Sequence, residues 1–291
     1  MMVCKNLLVG LKSKMNNLNN NPLVSVLMPV YNSEEYVGQA IESILNQTYK
    51  KFEFIIIDDA STDSTLNILK NFSRKEKRII LIQNKKNLGA TKSLNKGLKL
   101  AKRKYIIRMD ADDWSYPERF KLQVELMERN PTVVVSGSYV EVCNSSLKTR
   151  YIRKYHLFDT EIRKHIFRYS PFAHPATIWR SNVLKKERYN ESLTTCQDYE
   201  LYFRAGKIGR FMNLDKRLLK LRLHNRSVSV IQKDLQWKNT VLIRFNAVLM
   251  LGYQMTTVDK LYAFLQQVCI ALLPLKLRFI LFNFIRSLNI Y

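Results

Sequence analysis

The sequence predicts an α/β fold in which a mostly parallel sheet is flanked by helices and followed by a C-terminal helical extension. Three observations carry that expectation. Apolar runs of strand character alternate with helix-period segments from residue 23 to residue 110. The leading run is continuously apolar rather than alternating, as a strand covered on both faces is. Three of the strand runs also end in polar or acidic clusters, at the carboxyl ends where such sheets bind ligands.

Residues 1–21 finish in the Asn-rich stretch Asn16 to Asn21 and read as a flexible N-terminal arm. LVSVLMPV from Leu23 is the first strand, ending at Pro29-Val30-Tyr31-Asn32. Asn32 or Ser33 can cap the next helix, with Glu34 and Glu35 favourable to its dipole and Val37, Ala40, Ile41, Ile44 and Leu45 at helical spacing. Phe52 to Ile57 is a second strand closed by Asp58-Asp59, and a helix follows through Leu66, Ile68 and Leu69. Ile79 to Ile82 is a third strand. Asn87-Leu88-Gly89 then turns into a helix carrying Leu94, Leu98 and Ala101.

The second half is less regular. Val133 to Tyr139 and Leu218 to Leu223 read as strands, Pro171 to Pro175 as a rigid turn, and Thr194 to Glu200 as a helix start. The domain expectation is 22–230 for the α/β unit and 231–291 for a basic, amphipathic helical region. Leu261 to Ile285 is very apolar but is broken by Pro274, Lys276 and Arg278, so it fits interfacial helices better than a membrane span.

A formal net charge of +24 fits a polyanionic partner or a generally Lys- and Asn-rich surface, and charge alone does not choose. The basic residues are spread along the chain with no nucleic-acid-binding module, so no nucleic acid partner is expected. An anionic membrane surface stays open as a partner. Cys4, Cys143, Cys196 and Cys269 lie far apart, which suits neither a zinc site nor a disulfide framework and fits a reducing, cytoplasmic compartment. No G-x-G-x-x-G follows the first strand and no G-x-x-x-x-G-K-[ST] occurs, so phosphates would have to be held without a glycine cradle.

The stretch YIIRMDADDW supplies a substitute. Tyr105 to Ile107 has strand character and delivers Asp110, Asp112 and Asp113 within four positions. Such close carboxylates repel unless a cation or hydrogen-bond donors compensate them. Strand periodicity would put Asp110 and Asp112 on one side, a donor pair suited to a hard divalent ion. The alternative is an acidic turn leading into the helix that Ser115-Tyr116-Pro117-Glu118 announces.

VSVLMPVYNSEEYVGQAIESILNQTYKKFEFIIIDDASTDST, followed by NLGATKSLNKGLKLAKRKYIIRMDADDW, resembles family 2 glycosyltransferases of the GT-A fold, a Rossmann-like architecture. The resemblance covers about residues 23–230 and implies inverting, metal-dependent transfer of a sugar from a nucleotide-diphosphate donor (UDP-, GDP- or dTDP-sugar). By the same resemblance Pro29, Tyr31 and Asn32 line the nucleotide pocket, and one of Asp58 and Asp59 bonds the base. Asp110 and Asp112 match the D-x-D element holding Mn²⁺ or Mg²⁺ on the diphosphate. Asp198 matches the catalytic base, although the preceding position is Gln197 where the family usually has Glu. His224 resembles a residue that in some members helps bind metal or diphosphate. The acceptor expected is a glycan or undecaprenyl-linked glycan in surface polysaccharide (O-antigen or capsule) synthesis, with the enzyme peripheral on the inner face of the membrane. A nucleotidyltransferase would also use strand-end aspartates, but the order of motifs argues against it.

Overall fold

The structure is a computed structural model that describes residues 24–225, 227 and 231–272; the expected arm at 1–21 and the chain beyond 272 lie outside the described residues. The first half follows the alternating pattern closely. Strand β1 (Val24–Val30), helix α1 (Val37–Leu45), β2 (Phe52–Asp58), α2 (Thr65–Lys75), β3 (Ile79–Gln83), α3 (Ala90–Leu100) and β4 (Tyr105–Arg108) succeed one another. Then come β5 (Trp114–Ser115), α4 (Arg119–Arg129), β6 (Val133–Cys143), β7 (Thr149–Arg153), α5 (Asp159–His165), a 3₁₀ turn (His174–Ala176), β8 (Ile178–Arg180), α6 (Ser181–Glu187), α7 (Gln197–Gly206) and β9 (Arg210–Arg222). Helices α8 (Lys233–Leu251) and α9 (Thr257–Leu272) complete the described chain.

Among the described residues one sheet contains all nine strands, in the order β3-β2-β1-β4-β8-β6-β9-β5 with β7 added beside β6. Pairing is parallel from β3 through β4, as the alternation demands, because each crossover is a helix. The later strands mix the two senses: β8 lies antiparallel to both β4 and β6, while β9 runs parallel to β6. Strand β9 begins eight residues before the apolar run that marks it in the sequence. Its polar stretch hides this: Leu214 and Arg217 pair with adjacent residues Ser138 and Tyr139, so Asp215 and Lys216 form a bulge.

Period-two alternation builds a core on each face. Val24, Val26, Met28, Phe54 and Ile56 face α1 residues Ile41 and Ile44. Leu27, Ile55, Ile57 and Ile106 face Leu94, Leu98, Trp179 and Tyr202. Gly97 lets α3 lie close on the sheet, since a Cβ there would fall 2.2 Å from Leu27 Cδ1. Helix α1 starts later than expected and without the expected cap: its N-cap is Tyr36, with no side-chain hydrogen bond. Asn32, at φ +46°, turns instead toward the β2 tip, and Glu34 accepts a hydrogen bond from Ser64 N.

Candidate active site

The carboxyl ends of β1, β2 and β4 lie side by side because Val30 pairs with Asp58 and Leu27 with Arg108. Asn32 laces the first two tips together. Its Oδ1 accepts from Thr62 N at 2.8 Å, and its own N–H donates to Ser61 Oγ at 3.1 Å. Pro29, next to last in β1, is half-buried, and Tyr31, just past the strand's end, is 46% exposed. Asp58 and Asp59 are both buried. Asp59 is occupied: Oδ1 accepts from Asn84 Nδ2 (2.7 Å) and Leu88 N (2.9 Å), and Oδ2 from Gly89 N (2.8 Å). It therefore anchors the β3–α3 loop rather than capping α2, whose first turn is served by Asp63.

At the β4 tip the strand ends at Arg108, so Asp110, Asp112 and Asp113 leave it in a turn. Strand periodicity is thus not what gathers them. The turn does so, with one oxygen of each carboxylate within 4.8 Å of the others. Two cationic side chains frame the cluster. Arg108 donates to Asp110 Oδ1 at 2.5 Å. Arg222, the last residue of β9, donates its backbone N–H to Asp113 Oδ1 at 2.9 Å and Nε–H to the Asp112 carbonyl at 2.6 Å. His224 follows two residues later, with Nε2 3.0 Å from Asp112 Oδ2. The long β9 delivers both, since its end pairs with β5 directly after the acidic turn.

Burial and mutual repulsion push Asp110 above the usual carboxylate range against the pull of Arg108, and drive Asp113 well above it. Asp113 Oδ2 is buried with no partner. An all-oxygen cluster of three carboxylates with one orphaned buried oxygen fits a hard divalent ion. As the side chains stand, the His224 ring donates to Asp112 and orients it. Ligation through that nitrogen would require its proton to leave.

Asp198 sits in the first turn of α7 after Cys196, which takes φ +60°. Burial raises its carboxyl above the ordinary value. Arg108 pulls it down and Asp110 pushes it up, so it shares the electrostatic environment of the acidic turn. His174 Nε2 lies 2.9 Å from Tyr189 Oη, and burial together with Arg108 holds the ring well below the ordinary histidine value. Gln197 Oε1 is buried without a partner, at the position where the chain departs from Glu.

Several contributors escape sequence reading. Arg108 reads only as a strand end, Arg222 only as one basic residue in an apolar alternation, and Tyr189 carries no signal. Arg119 is the least legible. Fully buried at the start of α4, it donates to the carbonyls of Arg108 (2.8 Å) and Pro175 (2.7 Å), locking the β4 tip to the 3₁₀ turn. Arg119→Leu strands both acceptors and is expected to lower unfolding free energy by about 3 kcal/mol, read by urea denaturation.

Against known proteins, the family model for Glycosyl transferase family 2 matches residues 25–190. A chain of Haemophilus influenzae named as an uncharacterised glycosyltransferase is 37% identical over 224 residues, covering 74% of this chain and 69% of its own. The S. aureus TarS 1–349 structure in complex with UDP-GlcNAc superposes with a TM-score of 0.65 at 21% identity, covering 82% of this chain and 70% of that one. The mannosyltransferase PcManGT from Pyrobaculum calidifontis, in complex with GDP-Man and Mn²⁺, gives a TM-score of 0.56 at 15% identity over 93% of this chain and 81% of that one. Asp198, Arg222 and His224 lie beyond the span of the family match.

Proposed function

This chain belongs to glycosyl transferase family 2, and we propose that it moves a sugar, with inversion at C1, from a nucleotide-diphosphate donor to a hydroxyl of a glycan or undecaprenyl-linked glycan. The observation that carries the reading is the convergence at one end of the sheet. Asp110, Asp112, Asp113, Arg222 and His224 cluster beside the β1 and β2 tips, and Asp198 answers to the same charges.

Asp110 and Asp112, with His224, would hold Mn²⁺ or Mg²⁺ on the donor. Bound there, the ion supplies positive charge to the pyrophosphate as it departs. Pro29, Tyr31 and Asn32 form one wall of the nucleotide pocket, with Asp58 and Asp59 at its floor. Asp59 fixes the loop from Asn84 to Gly89 that closes this side. Asp198 accepts the acceptor hydroxyl's proton as the new C1–O bond forms and the C1–O bond to the diphosphate breaks. A single base opposite the leaving group gives one displacement and hence inversion. His174 is held neutral by burial, with its Nε2 engaged 2.9 Å from Tyr189 Oη.

The acceptor reading rests on the C-terminal helices. No helix of the described residues is long and apolar enough to cross a membrane. On α8 and α9, however, Leu242, Phe245, Leu249, Leu261 and Phe264 are exposed on a chain of net charge +24. That combination suits peripheral docking on the anionic inner face of a membrane, at about 1 kcal/mol per basic residue near the surface, and a role in surface polysaccharide assembly. The full chain is expected to co-sediment with anionic liposomes and a 1–230 truncation not to; equal pelleting would remove the docking reading.

A thermal-shift screen of UDP-, GDP- and dTDP-sugars with and without Mn²⁺ tests the donor. One nucleotide class is expected to raise Tm in a metal-dependent way, by the stabilisation that ligand at about 100 times Kd gives, roughly 2.7 kcal/mol. No shift with any of the three would overturn the donor assignment.

A further inference from the structure

We propose that His156, Glu161 and His165 form a binding site for one transition-metal ion of the Zn²⁺ class, separate from the acidic cluster at the strand tips. The chain has four histidines; His174 and His224 lie at the candidate active site, and the other two stand together here. Glu161 and His165 are four residues apart on α5 and so share a helix face. His156 comes from the link between β7 and α5, with its backbone carbonyl held by Asn213 Nδ2 at 2.8 Å. One donor atom from each of the three lies within 4.8 Å of the other two.

The outer contacts favour ligation. His165 Nδ1 lies 2.8 Å from the Glu161 carbonyl oxygen. A carbonyl can only accept, so Nδ1 carries the proton and the neutral ring keeps its Nε2 lone pair for a metal. His156 Nε2 meets Tyr169 Oη at 2.7 Å, which leaves Nδ1 for the same purpose. Metal-bound imidazoles are oriented in this way by a carbonyl or hydroxyl on the second nitrogen. The His156 and His165 rings stack at 4.2 Å and 22°, so they are neighbours without an ion, and one ring must tilt out of the stack for both lone pairs to reach one metal. The Glu161 side chain is 49% exposed, with Oε2 3.9 Å from His165 Nδ1.

Charge around the cluster is mixed. Glu161 attracts a cation, while Lys164 and Arg168 oppose one. Lys164 lies 3.7 Å from Glu161, and Arg168 is tied to Asp259 at 2.8 Å. Two imidazoles and one carboxylate suit Zn²⁺, Co²⁺, Ni²⁺ or Cu²⁺ rather than Mg²⁺ or Mn²⁺, and three protein ligands leave one position for water. Bound there, the ion would fasten the link before α5 to the helix itself.

The test uses the full chain stripped with EDTA and titrated with Co²⁺, then Zn²⁺. One equivalent of Co²⁺ is expected to give the visible absorption of a four- or five-coordinate nitrogen-ligated ion, bleached by Zn²⁺. The band should persist in Asp112→Ala, vanish in His165→Gln and in His156→Gln, and require about tenfold more metal in Glu161→Gln, a helix-surface change that spares the buried rings. Absence of a band in the native chain, its survival in His165→Gln with folding intact by circular dichroism, or its loss in Asp112→Ala would each overturn the site.

Discussion

Asp198→Asn is expected to lower kcat about 10²–10⁴-fold while leaving donor binding unchanged. The isosteric amide keeps the side chain's shape but cannot take a proton from the acceptor hydroxyl. Its stability effect separates chemistry from architecture. Burial holds the Asp198 carboxyl above its ordinary value, so the folded chain binds that proton more tightly than the unfolded chain does. Folding is then opposed by ionisation, and the cost is present above the folded value and relieved as pH falls through it. The Asn variant escapes that cost, so its Tm at neutral pH should equal or exceed the native one. A residue needed only for structure would lose Tm along with activity. The same raised value sets the acid side of the pH profile. Activity should fall as pH drops through a value above the ordinary 3.8 of an aspartate, and that limb should vanish from the residual rate of the Asn variant. An unchanged kcat, or loss of donor binding in parallel, would remove Asp198 from the role.

The first half of the fold was legible because each element there carries its own local signal. The continuous apolarity of β1 and β2 announces burial on both faces, and the helix-period spacing of α1 announces a crossover, so parallel pairing follows from order alone. The site was legible only where it sits on those strand ends. Strand periodicity points to Asp110 and Asp112 through a geometry they do not have, because an apolar run conceals where a strand stops and a turn begins. Arg119 and Arg222 were illegible for another reason. A buried arginine is recognised by the carbonyls and carboxylates around it, and these come from residues as distant in sequence as Pro175 and Asp113. His224 came through the family resemblance, and its contact with Asp112 depends on the bulged course of β9, which no local pattern encodes.

Asp112→Ala is expected to abolish the Mn²⁺-dependent thermal shift with nucleotide sugar and to reduce kcat/KM by at least about 10²-fold, the worth of roughly 3 kcal/mol of transition-state charge stabilisation. Without metal the expected effect has the opposite sign. Asp112 raises both Asp110 and Asp113, and both carboxyls stand above their ordinary value in the folded chain. Groups whose folded value is raised make the apo protein lose stability as pH rises through that value. Removing one of three crowded charges eases the other two, so apo Asp112→Ala should melt at or above the native temperature and show a shallower loss between acid and neutral pH. The native chain should recover that loss when Mn²⁺ is added, and the variant should not. His224→Ala leaves the three carboxylates in place and removes the ring that touches Asp112 Oδ2, so it should weaken the Mn²⁺ response without flattening the pH dependence. If apo Asp112→Ala instead melts well below the native chain, the aspartates are holding the turn together rather than waiting for a cation, and the reading of this cluster as a metal centre fails on its own energetics.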